Sequence, residues 1–260
     1  MAVKSITLTL RHFLDRTMSV YWAARSRFVL RNNTGNARLL EIGCGGGTWT
    51  SDLALASQHV VAVDIGYDRT YQNRTYTEMQ GRHNVDYIVA SGEQLPFRDE
   101  IFDQVVSVDV IEHIPDDANV IREIARTLHP NGSAVLTTLL DNRPSYIRKV
   151  TFNDHLREYT PERFADLFWQ SGLIEVERYY FYYFFSTIAR ELLNLVPPVI
   201  GRARGVGVTL RILLSLIAYL DRVFMLGRPG GIGIRAYRPG SPGSPGQTDS
   251  FLNESASRIA

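Results

Sequence analysis

The sequence has little cysteine and no excess of charge of either sign. Cys44 is the single cysteine in 260 residues, which excludes an intrachain disulfide and is too few for a zinc site built from cysteine. The 28 basic and 27 acidic residues leave a net charge of +1. A chain without a strong positive field lacks the electrostatic signature of nucleic-acid binding. We therefore expect no nucleic-acid partner and a reducing compartment, the cytoplasm.

Long apolar runs are also missing. Residues 1–10 contain one lysine and alternate Ser or Thr with apolar side chains, so they lack the apolar core of a signal peptide. The uncharged run 212–220 is far too short to span a bilayer. Hydrophobic residues nevertheless make up 45% of the chain, which is enough to bury the core of one large domain with additions.

Short apolar runs with strand character alternate with helical patterns along most of the chain. This alternation predicts βαβ units and a mostly parallel sheet, whose ligands bind beyond the carboxyl ends of the strands. The predicted strands are 38–42, 59–63, 85–89, 102–108, 133–138, 173–180 and 231–238. A helix is predicted at 11–30 and a turn into the fifth strand at 129–132.

The segment 39–48, Leu-Leu-Glu-Ile-Gly-Cys-Gly-Gly-Gly-Thr, is a strand that opens into a glycine loop. A dinucleotide fingerprint would need glycine at position 48, which is Thr48, and no Gly-Lys-Ser/Thr follows to make a P-loop. Glu41 is expected to place a carboxylate at the mouth of the loop, where it would repel a pyrophosphate and suit a cationic ligand. Asp64 stands 21 positions after Gly43, at the end of the next strand, where an acid can bind a ribose. An S-adenosylmethionine ligand, with its cationic methionine end, satisfies these constraints.

Three more motifs follow the glycine loop and Asp64. They are Gly-Glu-Gln-Leu-Pro-Phe at 92–97, Phe-Asp through Glu-His at 102–113, and Leu-His-Pro-Asn-Gly at 128–132. Together the five motifs resemble the class I S-adenosylmethionine-dependent methyltransferases, in particular the type 11 group related to ubiquinone and menaquinone biosynthesis. The resemblance runs from about Leu39 to Thr138 and continues more weakly through 154–160 and Gly172. It implies a doubly wound, Rossmann-like α/β fold with a seven-stranded, mostly parallel sheet whose last strand is antiparallel.

The resemblance also implies roles for individual residues, with S-adenosyl-L-methionine as the cofactor. Glycines and one acid should line its methionine end, Asp64 should accept hydrogen bonds from both ribose hydroxyls, and one loop should flank the adenine. Two residues at the end of the fourth strand should border the sulfonium and the acceptor. The methionine-end residues are Glu41, Gly43, Gly45 and Gly47; the adenine residues are Ser91 and Gly92; the sulfonium residues are Val108 and Asp109.

Two histidines are candidate general bases, should the acceptor have to lose a proton. His113 follows the fourth strand, where a structural role in orienting a helix is the alternative, and His155 lies in a loop expected to cover the acceptor. Asp109, Glu112 and His113 match an acid–x–x–acid–His spacing that binds a divalent ion in ubiquinone-type O-methyltransferases. Since many relatives carry Glu-His without a metal, we predict no metal and keep this set as the alternative.

The patterns along the sequence divide the chain into five parts. They are an N-terminal helical segment 1–36, an S-adenosylmethionine-binding domain 37–180, an apolar helical insert 181–228, a last strand 229–238 and a disordered tail 239–260. The insert begins in a run of seven aromatics, 179–185. In one interpretation its helices pack on the sheet or on a second subunit. In the other they form an apolar acceptor pocket, or an in-plane membrane contact helped by Arg202, Arg204 and Arg211.

We therefore interpret the chain as a methyltransferase that acts on a small, hydrophobic molecule. One alternative is a metal-assisted catechol or quinone O-methyltransferase. The other is a catalytically silent cofactor-binding scaffold.

Overall fold

The computed structural model describes residues 20–33, 35, 37–141, 143–146, 155–195 and 206–240. The first part of the predicted N-terminal segment, residues 1–19, and the predicted disordered tail from 241 lie outside the described residues. The predicted first helix therefore appears here as its second half, Val20–Arg31.

The described chain forms a seven-stranded sheet with helices on both faces, which confirms the predicted fold class. The strands are β1 Arg38–Ile42, β2 His59–Asp64, β3 Val85–Val89, β4 Phe102–Val108, β5 Leu128–Leu139, β6 Ile174–Phe181 and β7 Gly231–Tyr237. The helices are α1 Val20–Arg31, α2 Thr50–Ala56, α3 Tyr67–Met79, α4 Asp117–Thr127, α5 Pro161–Gln170, α6 Phe184–Leu195 and α7 Val206–Tyr219. Short 3₁₀ helices occupy Ile111–His113 and Leu220–Arg222.

The strand order is β3-β2-β1-β4-β5-β7-β6. Strands β1 to β5 pair in parallel, and β7 runs antiparallel to both neighbours, β5 and β6. The last strand in the chain is therefore antiparallel, as the resemblance implied. Parallel strands place the loops that follow β1, β2, β3 and β4 at one edge of the sheet, and these loops carry the predicted site.

Alternation along β1 divides the core between the two faces of the sheet. Leu40 and Ile42 join the cluster that packs under α4 and α5, whereas Leu39 packs with Phe28 of α1 and Leu53 of α2. Since side chains alternate, Glu41 points to the same face as Leu39, toward α1 and α2.

The predicted turn at 129–132 is wrong in its boundaries, because β5 begins at Leu128. Asn131 interrupts the strand with a φ of 68°, and the pairing between β4 and β5 shifts register near this point. The glycine that follows fits because a Cβ at Gly132 would lie 2.9 Å from the carbonyl oxygen of His129. The sequence signal for a turn thus marks an irregularity inside a longer strand.

The insert contains two antiparallel helices, α6 and α7. Ala189 of α6 packs with Leu214 and Ala218 of α7, and both helices also contact α1. Asp221, just after α7, caps the start of α6 by accepting hydrogen bonds from the backbone N–H groups of Phe185 and Ser186, each at 2.9 Å. This cap holds the end of α7 against the first turn of α6, beside the carboxyl end of β6.

Candidate functional site

A cavity of about 660 Å³ lies at the carboxyl ends of β1, β2 and β4. Most of the predicted site residues line it: Gly43, Gly45, Asp64, Ser91, Gly92, Val108, Asp109 and His113. Glu41, Gly47 and His155 are not part of its lining. Residues that are up to 70 positions apart in the chain therefore surround one space, because the parallel strands end together.

The glycine loop has two kinds of glycine. Gly47 has a φ of 90°, and a Cβ there would lie 2.6 Å from Oδ1 of Asn73, so packing against α3 requires glycine at this position. A Cβ at Gly45 would meet nothing closer than 3.9 Å, so its surroundings are open toward the cavity. Gly45 therefore leaves room for a ligand to approach the backbone, whereas the need for glycine at Gly47 comes from the protein itself.

Asp64 connects the loops that follow β1 and β2. Its Oδ2 accepts a hydrogen bond from the backbone N–H of Gly45 at 2.9 Å, and its Oδ1 accepts one from Gly66 at 2.8 Å. An ionised carboxylate has about four lone-pair sites, so both oxygens keep capacity for a further donor. The carboxylate is in position to accept hydrogen bonds from two hydroxyl groups of a ligand in the cavity.

Glu41 differs from the expectation that its carboxylate lies at the lip of the loop. The side chain is buried beneath the loop, on the α1 and α2 face, as the alternation along β1 dictates. Burial raises the pKa of Glu41 to about 8, the charge of Asp64 adds to the rise, and a hydrogen bond with Thr50 opposes it. Its Oε2 has no hydrogen-bond partner among the described residues. The group is therefore largely protonated at neutral pH, and a nearby cation would favour its ionised form.

The loop after β3 supplies the predicted adenine side. The Oγ of Ser91 accepts from the backbone N–H of Glu93 at 3.2 Å and donates to its carboxylate at 3.3 Å. A Cβ at Gly92 would lie 3.1 Å from Cγ2 of Ile42, so this loop packs closely on the end of β1. The hydroxyl of Ser91 is thus used within its own loop, and the main chain of the loop remains to contact a ligand.

Asp109 ends β4 with a φ of 54°, an uncommon conformation for a residue other than glycine. Its Oδ1 accepts from Nε of Arg25 at 3.0 Å and from Oγ1 of Thr137 at 2.8 Å. Arg25, on α1, also forms an ion pair with Oδ2 of Asp109 and donates to the hydroxyl of Tyr182 at 2.6 Å. The guanidinium lies 5.2 Å from the ring centre of Phe181 and 4.9 Å from that of Tyr182.

Arg25 is 4% exposed and lines the cavity. It joins α1, the end of β4 and the start of the insert into one wall. Sequence reasoning missed this residue, and no local motif could have found it, since its partners lie 84 and 157 positions away.

His113 and His155 contact each other through their rings, and His113 reaches the cavity. Their ring centres are 4.7 Å apart and the rings are perpendicular. His113 lines the cavity, so a candidate base faces the space where an acceptor would bind. Glu112 is buried next to them; burial raises its pKa, and its Oε2 accepts from Oγ1 of Thr138 at 3.1 Å.

The acid–x–x–acid–His set is not brought together as the spacing suggested. Asp109 is bound to Arg25 and Thr137, whereas Glu112, His113 and His155 each offer an atom within 4.8 Å of the others. A carboxylate with two imidazoles is a donor set that suits a divalent transition metal. Within the described residues, His155 thus takes the place that the spacing gave to Asp109.

The cavity has further lining residues that the sequence reasoning did not single out. They are Arg25, Trp49, Ile65, Arg69, Ile114 and Pro115. Trp49 and Ile65 directly follow the glycine loop and Asp64, so their place at the strand ends could have been inferred from the fold. Ile65 is 77% exposed, which is unusual for a large apolar side chain and leaves it able to cover a ligand.

A family described as "Methyltransferase domain" matches residues 40–136, the span that holds the glycine loop, Asp64 and the end of β4. The ubiquinone biosynthesis O-methyltransferase of Roseobacter denitrificans is 29% identical over 153 residues, which cover 54% of this chain and 61% of that relative. The enzyme of the same name from Ruegeria pomeroyi is 30% identical over 153 residues with the same coverage. The chain thus matches about three fifths of the length of these relatives.

Solved structures share the fold over most of the chain. The [4+2]-cyclase SpnF has a TM-score of 0.61 at 19% identity and covers 84% of this chain and 82% of its own. An S-adenosylmethionine-dependent methyltransferase from Mesorhizobium loti has a TM-score of 0.55 at 18% identity, with 85% and 98% covered. One of these two structures is named for a cyclase, so the fold alone does not identify the reaction. The matched residues 40–136 and the order of the motifs are similar to those of S-adenosylmethionine-dependent methyltransferases, and the fold is shared with solved structures that include such enzymes.

Proposed function

We propose that this protein transfers a methyl group from S-adenosylmethionine to a small, apolar acceptor. The observation that supports this most is a single cavity lined by Gly45 and Asp64, which follow β1 and β2, and also by Asp109 and His113, which follow β4 on the other side of β1. An acid that can bind a ribose and an open glycine backbone suit a nucleoside. The residues that follow β4 are the groups that an acceptor would meet.

The residues present fit the cofactor. Asp64 would accept from the ribose hydroxyls, and the main chain of Ser91 and Gly92 would flank the adenine. Gly43 and Gly45 would lie along the methionine end. The carboxyl of Glu41 beneath them has a buried oxygen without a hydrogen-bond partner among the described residues, which would be satisfied by a cationic ligand group, directly or through water.

When bound, S-adenosylmethionine supplies a methyl group that its sulfonium already activates. The protein then has to place an acceptor atom in line with the methyl–sulfur bond, an orientation effect that supplies several kcal/mol. In this proposal Val108 and Asp109 border the reacting end, and Arg25 holds the carboxylate of Asp109 in place. His113 accepts the proton if the acceptor is a hydroxyl group.

The acceptor proposed here is a phenol-type hydroxyl on an apolar molecule. The similarity to relatives that are named ubiquinone biosynthesis O-methyltransferases supports this class. An oxygen acceptor is also the case in which a histidine base at the position of His113 is useful.

A second candidate is metal-assisted O-methylation, favoured by the cluster of Glu112, His113 and His155. A divalent ion held there would lower the pKa of a catechol hydroxyl without a separate base. The two candidates differ in their response to a chelator.

The function is tested by transfer of labelled methyl from S-adenosylmethionine to a panel of apolar phenols and catechols. Asp64→Asn keeps the shape of the side chain but removes acceptors of charge-assisted hydrogen bonds, so we expect a loss of about 10- to 100-fold in kcat/KM. Asp166→Asn, an exposed aspartate on α5, is the matched control and should leave the rate unchanged.

Absence of both binding and transfer would refute the proposal. Cofactor binding without turnover of any acceptor would favour the silent scaffold. The Tm of each variant shows whether a lost rate reflects lost folding, since Asp64 also joins two loops.

A further inference from the structure

Helix α7 is apolar on both of its long faces. One face is buried, where Leu214 and Ala218 pack with Ala189 of α6. The other face carries Leu213, Leu216 and, after the helix, Leu220, at the i, i+3, i+7 spacing of one stripe. Leu213 and Leu216 are 53% and 59% exposed. A helix that is apolar all round is normally covered on every side, so the exposed stripe calls for a partner.

The stripe continues into the segment that follows α7. Val223, Phe224, Met225 and Leu226 are four consecutive exposed apolar residues, with Val223 71% exposed. We use the name apolar surface for the stripe and this segment together: Leu213, Leu216, Leu220 and Val223–Leu226. Contiguous apolar patches of this kind are rare on monomeric proteins and mark interaction sites.

The sequence around the apolar surface carries more positive than negative charge. Between Leu192 and Gly230 the sequence has five arginines and one acid: Arg202, Arg204, Arg211, Arg222, Arg228 and Asp221. Asp221 is buried and caps α6, so its charge is directed inward. Arg222 and Arg228 are exposed beside Val223–Leu226, whereas Arg202 and Arg204 lie outside the described residues. An apolar surface with basic residues at its rim is complementary to an anionic lipid surface.

The apolar surface is close to the cavity in structure. The N–H of Phe184 donates to the carbonyl of Leu226 at 2.9 Å, and Asp221 holds the first turn of α6. Two residues before Phe184, Tyr182 receives the hydrogen bond of Arg25 in the cavity wall. The same short segment therefore connects the apolar surface to the proposed acceptor end.

We propose that the apolar surface docks in the plane of an anionic bilayer and brings the acceptor end of the cavity next to lipid. This inference rests on the proposed function, because an apolar acceptor would be dissolved in that bilayer. None of the helices in the described ranges is long and apolar enough to cross a membrane. The four consecutive apolar residues enter the headgroup boundary while the arginines remain at the anionic headgroups.

The test is co-sedimentation of the full chain with vesicles of phosphatidylcholine alone or of an equimolar mixture with phosphatidylglycerol. No cofactor or acceptor is added. We expect partition onto the anionic vesicles that weakens with salt and is several-fold lower on phosphatidylcholine. The variant Leu213→Gln/Leu216→Gln/Val223→Gln/Met225→Gln should lose at least about tenfold of this partition. A charge variant, Arg222→Gln/Arg228→Gln, should lose a similar factor on anionic vesicles only.

The matched control is Leu55→Gln/Trp169→Gln, which removes two apolar side chains that are 67% and 75% exposed on α2 and α5. It should pellet like the original protein. Equal pelleting of the original protein and the fourfold glutamine variant would overturn the proposal, as would no pelleting at all. A dimer in sedimentation velocity that the fourfold variant dissociates, without lipid binding, would show that a second copy covers the surface instead.

The failure of this inference and the failure of the proposed function give different results. Methyl transfer to a water-soluble acceptor should be unchanged in the fourfold variant, because its substitutions lie outside the cavity. A protein that pellets but transfers no methyl group would refute the function and keep the lipid contact. The reverse result would refute the lipid contact alone.

Discussion

The contact between Arg25, Asp109 and Tyr182 should be a large source of stability for the cavity wall. Arg25→Met keeps the apolar stem and removes the guanidinium, which leaves the carboxylate of Asp109 without its ion pair. Breaking a buried pair costs about 3–5 kcal/mol, and the lower end applies because the side chain of Asp109 is 22% exposed. We therefore expect a loss of about 3 kcal/mol in the free energy of unfolding, or about 6–12 °C in Tm for a chain of this size.

The second arm of this experiment is Tyr182→Phe, which removes the hydroxyl that accepts from Arg25. A hydrogen bond to a charged group contributes about 1.5–3 kcal/mol, so this variant should lose about 1.5 kcal/mol. The double variant should lose about 1 kcal/mol less than the sum of the two single losses, because both substitutions remove the same hydrogen bond.

The assay is urea unfolding at neutral pH for the four proteins of the cycle. Arg27→Met, an exposed arginine on the same helix, is the control and should change stability by less than about 0.5 kcal/mol. The reasoning is refuted if Arg25→Met costs no more than Arg27→Met, or if the two effects of the cycle simply add.

Three further predictions concern the loop and the candidate base. Burial raises the pKa of Glu41 from 4.5 to about 8, so the folded state keeps a proton that the unfolded chain releases. The free energy of unfolding should therefore fall as the pH rises from about 5 to 8. Urea titrations at several pH values should show a flatter fall for Glu41→Gln. Gly47→Ala should lower the free energy of unfolding by more than about 2 kcal/mol, because Gly47 has a positive φ and a Cβ there would collide with Asn73. The control, Gly81→Ala, should lower it by about 1 kcal/mol, since Gly81 has a φ of 72° but no neighbour within 4 Å. Equal losses would contradict the packing argument. His113→Gln should lower kcat about 100-fold and leave the affinity for S-adenosylmethionine unchanged. A chelator should not change the activity of the original protein. Activity that is lost in chelator and restored by a divalent ion would favour the metal-assisted route.

The fold and one half of the site could be predicted from the sequence because their signals are local. The glycine loop, Asp64 and the segment after β3 each sit directly behind a strand. Parallel pairing brings such positions together whatever the details of the packing. The antiparallel last strand came from the resemblance, not from the residues of β7.

The depth of Glu41 could have been inferred from the alternation along β1, since Leu39 and Glu41 share a face. The motif reasoning instead assigned its charge to the mouth of the loop. A motif states which residue type occurs at a position, whereas the burial that raises its pKa depends on α1 and α2 packing over it.

The acceptor half of the site could not be predicted from local patterns. Arg25 reaches Asp109 from a helix that precedes the domain, and His155 reaches His113 from a loop more than 40 positions later. The acid–x–x–acid–His spacing was compatible with a metal site, but the ion pair of Asp109 with Arg25 changes the available donors. The contacts of the predicted cofactor residues with a ligand stay predictions.

Calorimetric titration of the full chain with S-adenosylmethionine, and in parallel with NADH, tests the central claim most directly. The account predicts saturable binding of S-adenosylmethionine in a one-to-one ratio and no binding of NADH. Binding of NADH in the absence of any heat from S-adenosylmethionine would contradict it.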